Sequence, residues 1–278
     1  MEQITSRRNP IVARFRQITR SATPASATVL LEGPRLIEAA LAAGVRIDLA
    51  AVSTGTATAR RSAAVLDRLD PTQTRLVRVS PAVMAALSPV STPSGLVALA
   101  TLEPAGFEAA APPPRPLVVG LFGVQDPGNT GAVIRAVEAG GATGVITVGG
   151  ADPYGWKALR GSMGSAFRLP VVRTLDPDQV RAEADARGLR VLAAVPRDGT
   201  PMADTDLRGP CLVWLGGEGG GLDTRVVDTA DERVSIPMHP QVESLNIAVA
   251  AALIVYAAAA QRAGATPTAA TPPVRHSA

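Results

Sequence analysis

Three short stretches of this 278-residue chain carry polar residues at spacings that could do chemistry. The first, QDPGNTGAVIRA, spans residues 125–136. Asp126, Pro127, Gly128 and Asn129 make a strand-to-helix turn in which Asn129 could cap the helix. Arg135 lies six residues on, where a cation is not placed to favour the helix dipole. Taken alone it reads as a solvated helix arginine as readily as a functional one. The second stretch, LGGEGGGLD, puts five glycines around Glu218 between Gly216 and Gly221. Glycine lets a backbone approach a ligand closely. The loop is not a Walker A motif, because Leu222 stands where lysine should follow, and GxGxxG read from Gly217 also ends on Leu222. The acidic Glu218 argues against a loop built purely for phosphate. The third, IPMHPQVESLNIAVA, ends a strand at Ile236, Pro237 and Met238. Glu243, Ser244 and Asn246 then stand just before an apolar helix. Either Ser244 or Asn246 could cap that helix; all three polar residues exceed what a cap needs.

These stretches need a scaffold that holds them together. PLVVGLFGV is a continuous apolar run, as in a strand covered on both faces. A helix follows from about Asn129 to Ala139, then TGVITVGG as the next strand; RVLAAVP, CLVWLGG and RVSIPM read as further strands. The expected fold is α/β with a mostly parallel sheet. Each polar stretch directly follows a strand, and open parallel sheets bind ligands beyond the carboxyl ends of their strands. The run Ile247 to Ala260 reads as a largely buried helix, shorter than the roughly 18–20 residues of a membrane span.

Upstream, EPAGFEAAAPPPRP has three consecutive prolines and predicts a semi-rigid connector. It divides the chain into residues 1–103, a linker at 104–116, a second domain at 117–262, and a disordered tail at 263–278. The first domain is a smaller α/β unit: TVLLEG, IDLAAVS, RLVRVS and GLVALATL read as strands, and RLIEAALAAG as a helix. Between Gln3 and Leu31 there are five arginines, among them Arg7, Arg8, Arg14 and Arg16, and no acidic residue. Such a segment can follow a nucleic-acid backbone or be a solvated helix face. Arg35 adds to it, and Lys157 and Arg160 form a second basic pair in YGWKALRGSMGSAFRLP. Net charge is +3, and Lys157 is the only lysine among 27 basic residues. A single cysteine, Cys211, excludes an internal disulfide and a cysteine-based zinc site, and two distant histidines disfavour a metal centre. The N-terminus lacks the apolar segment of a signal peptide. A soluble, cytoplasmic protein is expected.

Taken together, the three stretches resemble the SpoU/TrmH family of the SPOUT superfamily, S-adenosylmethionine-dependent RNA ribose 2′-O-methyltransferases. The resemblance rests on Asn129 with Arg135, on the Gly-Glu-Gly loop at Glu218, and on Ile-Pro-Met followed by Glu-Ser-Leu-Asn from Ile236 to Asn246. It implies a C-terminal trefoil knot, a homodimer with the active site at the subunit interface, and no metal. It implies a catalytic pocket of Asn129, Arg135, Glu218, Ser244 and Asn246. The cofactor would be held by Leu215, Gly216, Gly217, Ile236, Pro237, Met238, Ser244 and Leu245. The first domain resembles the ribosomal-protein-like substrate-binding domain of ribosomal-RNA members, which favours 23S ribosomal RNA over transfer RNA as substrate. A non-catalytic RNA-binding protein of the same fold is the alternative of another class. Pro240 departs from the glycine many members carry there, and proline removes an N–H donor.

Overall fold

The computed structural model describes residues 1–20, 28–54, 60–174 and 176–264. The first part of the chain contains β1 (Glu2–Ile4), α1 (Pro10–Arg20), β2 (Thr28–Glu32), α2 (Pro34–Ala42), β3 (Arg46–Ser53), α3 (Arg60–Leu66), β4 (Arg75–Val79), α4 (Pro81–Leu87) and β5 (Leu96–Thr101). Its strands form a mixed sheet in the order β1-β4-β3-β5-β2. The predicted strands and helix lie where expected. Of the segment's five arginines, Arg14, Arg16 and Arg20 lie on α1, which buries Ile11, Val12 and Phe15 and turns them outward; Arg7 and Arg8 precede it.

The second part holds α5 (Phe107–Ala110), β6 (Leu117–Phe122), α6 (Pro127–Ala139), β7 (Gly144–Val148), α7 (Trp156–Ser162), α8 (Ser165–Arg168), β8 (Val171–Thr174) and α9 (Pro177–Ala186). It continues through β9 (Arg190–Ala194), β10 (Thr200–Pro201), β11 (Cys211–Gly216), α10 (Thr224–Asp228), β12 (Glu232–Ser235) and α11 (Ile247–Gly264). The strands make a seven-stranded sheet ordered β10-β12-β9-β11-β6-β7-β8, every pair parallel. From β6 the chain adds β7 and β8 on one side, then crosses to build the other side. The order therefore reverses between β6 and β11, where such sheets bind ligands.

Four expectations need correction. The strand expected to end at Met238 ends at Ser235; Pro237 brings no N–H to a ladder. The connector is not simply extended: Phe107–Ala110 is a helical turn, and Ala110 and Ala111 are buried against the larger sheet. The apolar helix α11 is 18 residues long, enough by length and composition to cross a membrane. It is not largely buried as expected: it seats Ile247, Ala251, Ile254, Val255 and Ala258 inside, while Val249, Leu253 and Tyr256 stay exposed at 48%, 41% and 53%. It also absorbs residues 263 and 264 of the expected tail; residues 265–278 lie outside the described residues.

The two sheets share one apolar core. Leu31, Ile37 and Ala50 of the smaller unit belong to the same cluster as Leu159 and Ala166 of α7 and α8 and Val119 and Val213 of the larger sheet. Trp156 packs on the smaller unit's other cluster, around Phe15 and Leu30. On its other side α7 lies directly on α6. A Cβ on Gly131 would come within 2.3 Å of the Ala158 carbonyl oxygen, so glycine sets that approach. Beside α7, the Tyr154 hydroxyl donates to the Val171 carbonyl at 3.1 Å, and burial pushes its phenol up to about 12.

Candidate active site

The loops leaving β6 and β11 and the segment leading into α11 meet at the carboxyl edge of the larger sheet. Helix α6 starts on Pro127, whose fixed φ suits a first turn. Its cap is Asp126, which accepts from the Asn129 backbone N–H at 2.7 Å. Asn129 is thus not the cap, and its side chain is free for other work. Its Nδ2 donates to Glu218 Oε1. Its Oδ1 accepts from Asn246 Nδ2 at 3.1 Å. Both ends of one amide are committed, which fixes its orientation. Asn246 has two roles: its own Oδ1 accepts from the Ala248 N–H at 2.9 Å and caps α11. These side chains join three motifs separated by 89 and 117 residues.

The glycine loop owes its shape to close approaches. A Cβ on Gly216 would fall 2.1 Å from the Gly221 carbonyl carbon, and one on Gly217 would fall 2.4 Å from the Gly123 carbonyl oxygen. The Gly217 N–H donates to the Phe122 carbonyl, so the loop continues the β6–β11 pairing before folding back on itself through a Gly217–Gly221 bridge. Beside it lies a cavity of about 660 Å³. Its walls are residues 215–222, Val234, Ile236 and Met238, then residues 243–247.

Of the residues expected at a cofactor site, Leu215, Gly216, Gly217, Ile236, Met238, Ser244 and Leu245 line this cavity, as do Glu218 and Asn246. Pro237 is not in the lining. Arg135 is not brought to the cluster either. Six residues along a helix turn it about 240° from Asn129. It is exposed, without a hydrogen bond or ion pair among the described residues. Ser244 is exposed and caps nothing among the described residues. The expected RNA contacts Arg7, Arg8, Arg14, Arg16, Arg35, Lys157 and Arg160 are all exposed. Arg7 donates to the Ala82 carbonyl and Lys157 lies over the Trp156 ring, 5.5 Å from its centre. A wall formed by Ala194, Val195 and Pro196, at the exit of β9, escaped the sequence reading. These residues form no motif; only their place beside β11 in the sheet order marks them.

The SpoU rRNA Methylase family matches residues 116–256, half of the chain. The chain belongs to this family. Residues 16–98 match the MRM3-like substrate binding domain, so the smaller mixed sheet is that family's appended unit. Among curated relatives, an uncharacterized tRNA/rRNA methyltransferase of Synechocystis sp. is 34% identical over 95% of this chain and 96% of its own length. The 23S rRNA (guanosine(2553)-2′-O)-methyltransferase RlmP of Bacillus subtilis is 31% identical over 92% of this chain and 98% of its own. Among solved structures, the SpoU methyltransferase AviRb from Streptomyces viridochromogenes, in complex with the cofactor AdoMet, superposes with a TM-score of 0.83 at 27% identity. It covers 91% of this chain and 99% of that one. In this SpoU protein three polar loops meet through the side chains of Asn129, Glu218 and Asn246.

Proposed function

We propose that this SpoU protein transfers a methyl group from S-adenosylmethionine to a ribose 2′-hydroxyl of 23S ribosomal RNA. The observation that carries the proposal is the Asn246–Asn129–Glu218 chain of hydrogen bonds beside the 660 Å³ cavity, at the point where the sheet order reverses. The cavity fits the cofactor in chemistry as well as place. Ile236, Met238 and Leu245 offer apolar wall to an adenine, and the glycine loop presents backbone groups. Glu218 and Glu243 put two carboxylates near a molecule that carries a sulfonium and an ammonium. Leu215, Gly216, Gly217, Ile236, Pro237, Met238, Ser244 and Leu245 are the proposed cofactor residues, with Pro237 acting only through the backbone course it sets.

When bound, the cofactor supplies an electrophilic methyl group on sulfur. The chain's own work is to position the hydroxyl, exclude water and steady the oxygen as its proton leaves. Glu218 accepts from Asn129 through one oxygen and keeps the other uncommitted among the described residues. Asn129, Ser244 and Asn246 shape the hydroxyl's site. Arg135 binds the neighbouring phosphate and stabilises the developing alkoxide; a guanidinium keeps its proton, so it is not the base.

The same reading takes residues 1–103 as the RNA-holding unit and 117–262 as the catalytic unit, acting in the cytoplasm. Arg7, Arg8, Arg14, Arg16, Arg35, Lys157 and Arg160 supply phosphate contacts. Val249, Leu253 and Tyr256, spaced on one exposed face of α11, support a homodimer joined there. A dimer with its site at the subunit junction gives Arg135 a route to a substrate that a single chain does not. Between β12 and Asn246 the chain passes over the ends of β9 and β11 to reach the β6 loop, a course that supports the knot.

Tritiated S-adenosylmethionine offered with protein-free ribosomal RNA and, separately, with bulk transfer RNA tests the proposal. Label in 23S RNA at a position resistant to alkaline cleavage is expected. Label only in transfer RNA moves the substrate, and bound cofactor with no label in either leaves an RNA-binding module.

A further inference from the structure

The segment that closes the cavity is weakly held. Residues 236–245 contribute Ile236, Met238, Glu243, Ser244 and Leu245 to its wall, yet seven of the ten residues in the segment are exposed. Within the segment, one turn is closed by the Val242 N–H donating to the His239 carbonyl. Among the described residues, only one side chain hydrogen-bonds the segment to the rest of the protein. Arg197 donates through one terminal nitrogen to the Pro240 carbonyl at 3.0 Å and to the Val242 carbonyl at 3.4 Å.

Arg197 is itself carried on a rigid mount. It follows Ala194, Val195 and Pro196, which line the same cavity. Asp198 holds a left-handed φ of 60°. The next residue, Gly199, is pressed on β12: a Cβ there would meet the Val234 carbonyl carbon at 2.8 Å, and its carbonyl accepts from the Ser235 hydroxyl at 2.9 Å. A strained turn persists only where its surroundings fix it. One guanidinium thus ties the segment after β9, part of the fixed lining, to the loosely held one.

We infer that Arg197 is a positioning residue: it latches the 236–245 segment in the conformation that binds S-adenosylmethionine. The inference rests on the cavity being the cofactor site. Without the latch the exposed segment samples open states, and the apparent affinity falls by the fraction of time the wall is in place. The fold does not depend on it, because both hydrogen bonds lie at the exposed surface. Pro240 serves the latch: its ring narrows the backbone that carries the accepting carbonyl. Two hydrogen bonds from a charged donor at an exposed site make the expected effect about tenfold.

The test is calorimetric titration of the full chain with S-adenosylmethionine, for the natural protein, Arg197→Ala and Arg197→Lys, with methylation kinetics alongside. Arg197→Ala is expected to raise Kd and the cofactor KM about tenfold, with a much smaller change in kcat. Its thermal midpoint without cofactor should match the natural protein's. Arg197→Lys, which can still donate to a carbonyl, should recover part of the affinity. An unchanged Kd in Arg197→Ala overturns the latch. So does a loss of kcat as large as the rise in KM, because that places Arg197 at the reacting atoms. If the natural protein itself binds no S-adenosylmethionine, the methylase reading fails first and the latch with it.

Discussion

Arg262 and Arg135 lie on α11 and α6, two helices that pack together, and they are treated in opposite ways. Arg262, at the far end of α11, donates to the carbonyls of Leu207, Arg115, Pro116 and Gly209 at 2.6–3.3 Å. Its neighbour Gln261 accepts from the Leu207 N–H and donates to the Thr205 carbonyl. All of these partners are backbone, so that end is a fastening between the last helix and the chain around the entries of β6 and β11. Arg135 lies on the helix that starts at the site and spends no donor among the described residues. A guanidinium saturated by backbone defines structure, and one with its fork uncommitted is available to a ligand. The same contrast holds along α11: its start is tied to Asn129 by one bond between side chains, its end by several from the Gln261 and Arg262 side chains to backbone groups.

Arg135→Ala should show the larger effect. If Arg135 stabilises the developing alkoxide as proposed, its loss costs about 10²–10³ in kcat/KM, or roughly 3–4 kcal/mol. The denaturant midpoint should stay where it was. Arg135→Lys keeps the charge and loses the fork, so full turnover in that variant would falsify the bidentate contact. Arg262→Ala should do the reverse. Stability should fall by about 3 kcal/mol, since several acceptors lose their partner at once. Turnover at a permissive temperature should change little. A rate defect in the second variant, or an unfolding defect in the first, breaks the contrast.

The sequence made the framework legible wherever an apolar run was long enough to have a pattern. The strands β6, β7, β9 and β11 announced themselves by apolar runs, and the polar loops after β6 and β11 by their position. Strands β8, of four residues, and β10, of two, are too short to show a period. In α11 alanine recurs on every side, so nothing distinguished the face that stays exposed. Asn129 was legible both as a possible cap and as a pocket residue; only the cap reading fails, because Asp126, three residues earlier, caps the helix. Arg197 was not legible at all: its partners are backbone carbonyls more than 40 residues away, and no motif encodes those.

Glu218→Gln sharpens the site side of the comparison with a smaller effect. Glutamine keeps an oxygen for Asn129 and removes the charge. Turnover should fall about tenfold, near 1.4 kcal/mol, if the carboxylate acts electrostatically. Turnover unchanged in a folded variant would reduce Glu218 to a tether for Asn129. The readout is single-turnover methylation at saturating cofactor.

The smallest effect belongs to Cys211, which reports on the Arg262 end. Burial pushes its thiol pKa up, opposed by the Arg262 guanidinium 3.6 Å from the sulfur. A folded pKa raised above the unfolded one gives stability that is present at lower pH. That stability is lost as pH rises past the unfolded thiol value of about 8.5 toward the folded one. The natural protein should therefore weaken slightly above that pH, and Cys211→Ala should remove that part of the slope. At neutral pH a thiol reagent should label Cys211 only when the end of α11 opens, so Arg262→Ala should speed labelling while Arg135→Ala leaves it alone. Equal labelling rates in all three proteins would mean that Arg262 does not hold this end. The two arginines would then differ in their partners without differing in what they do.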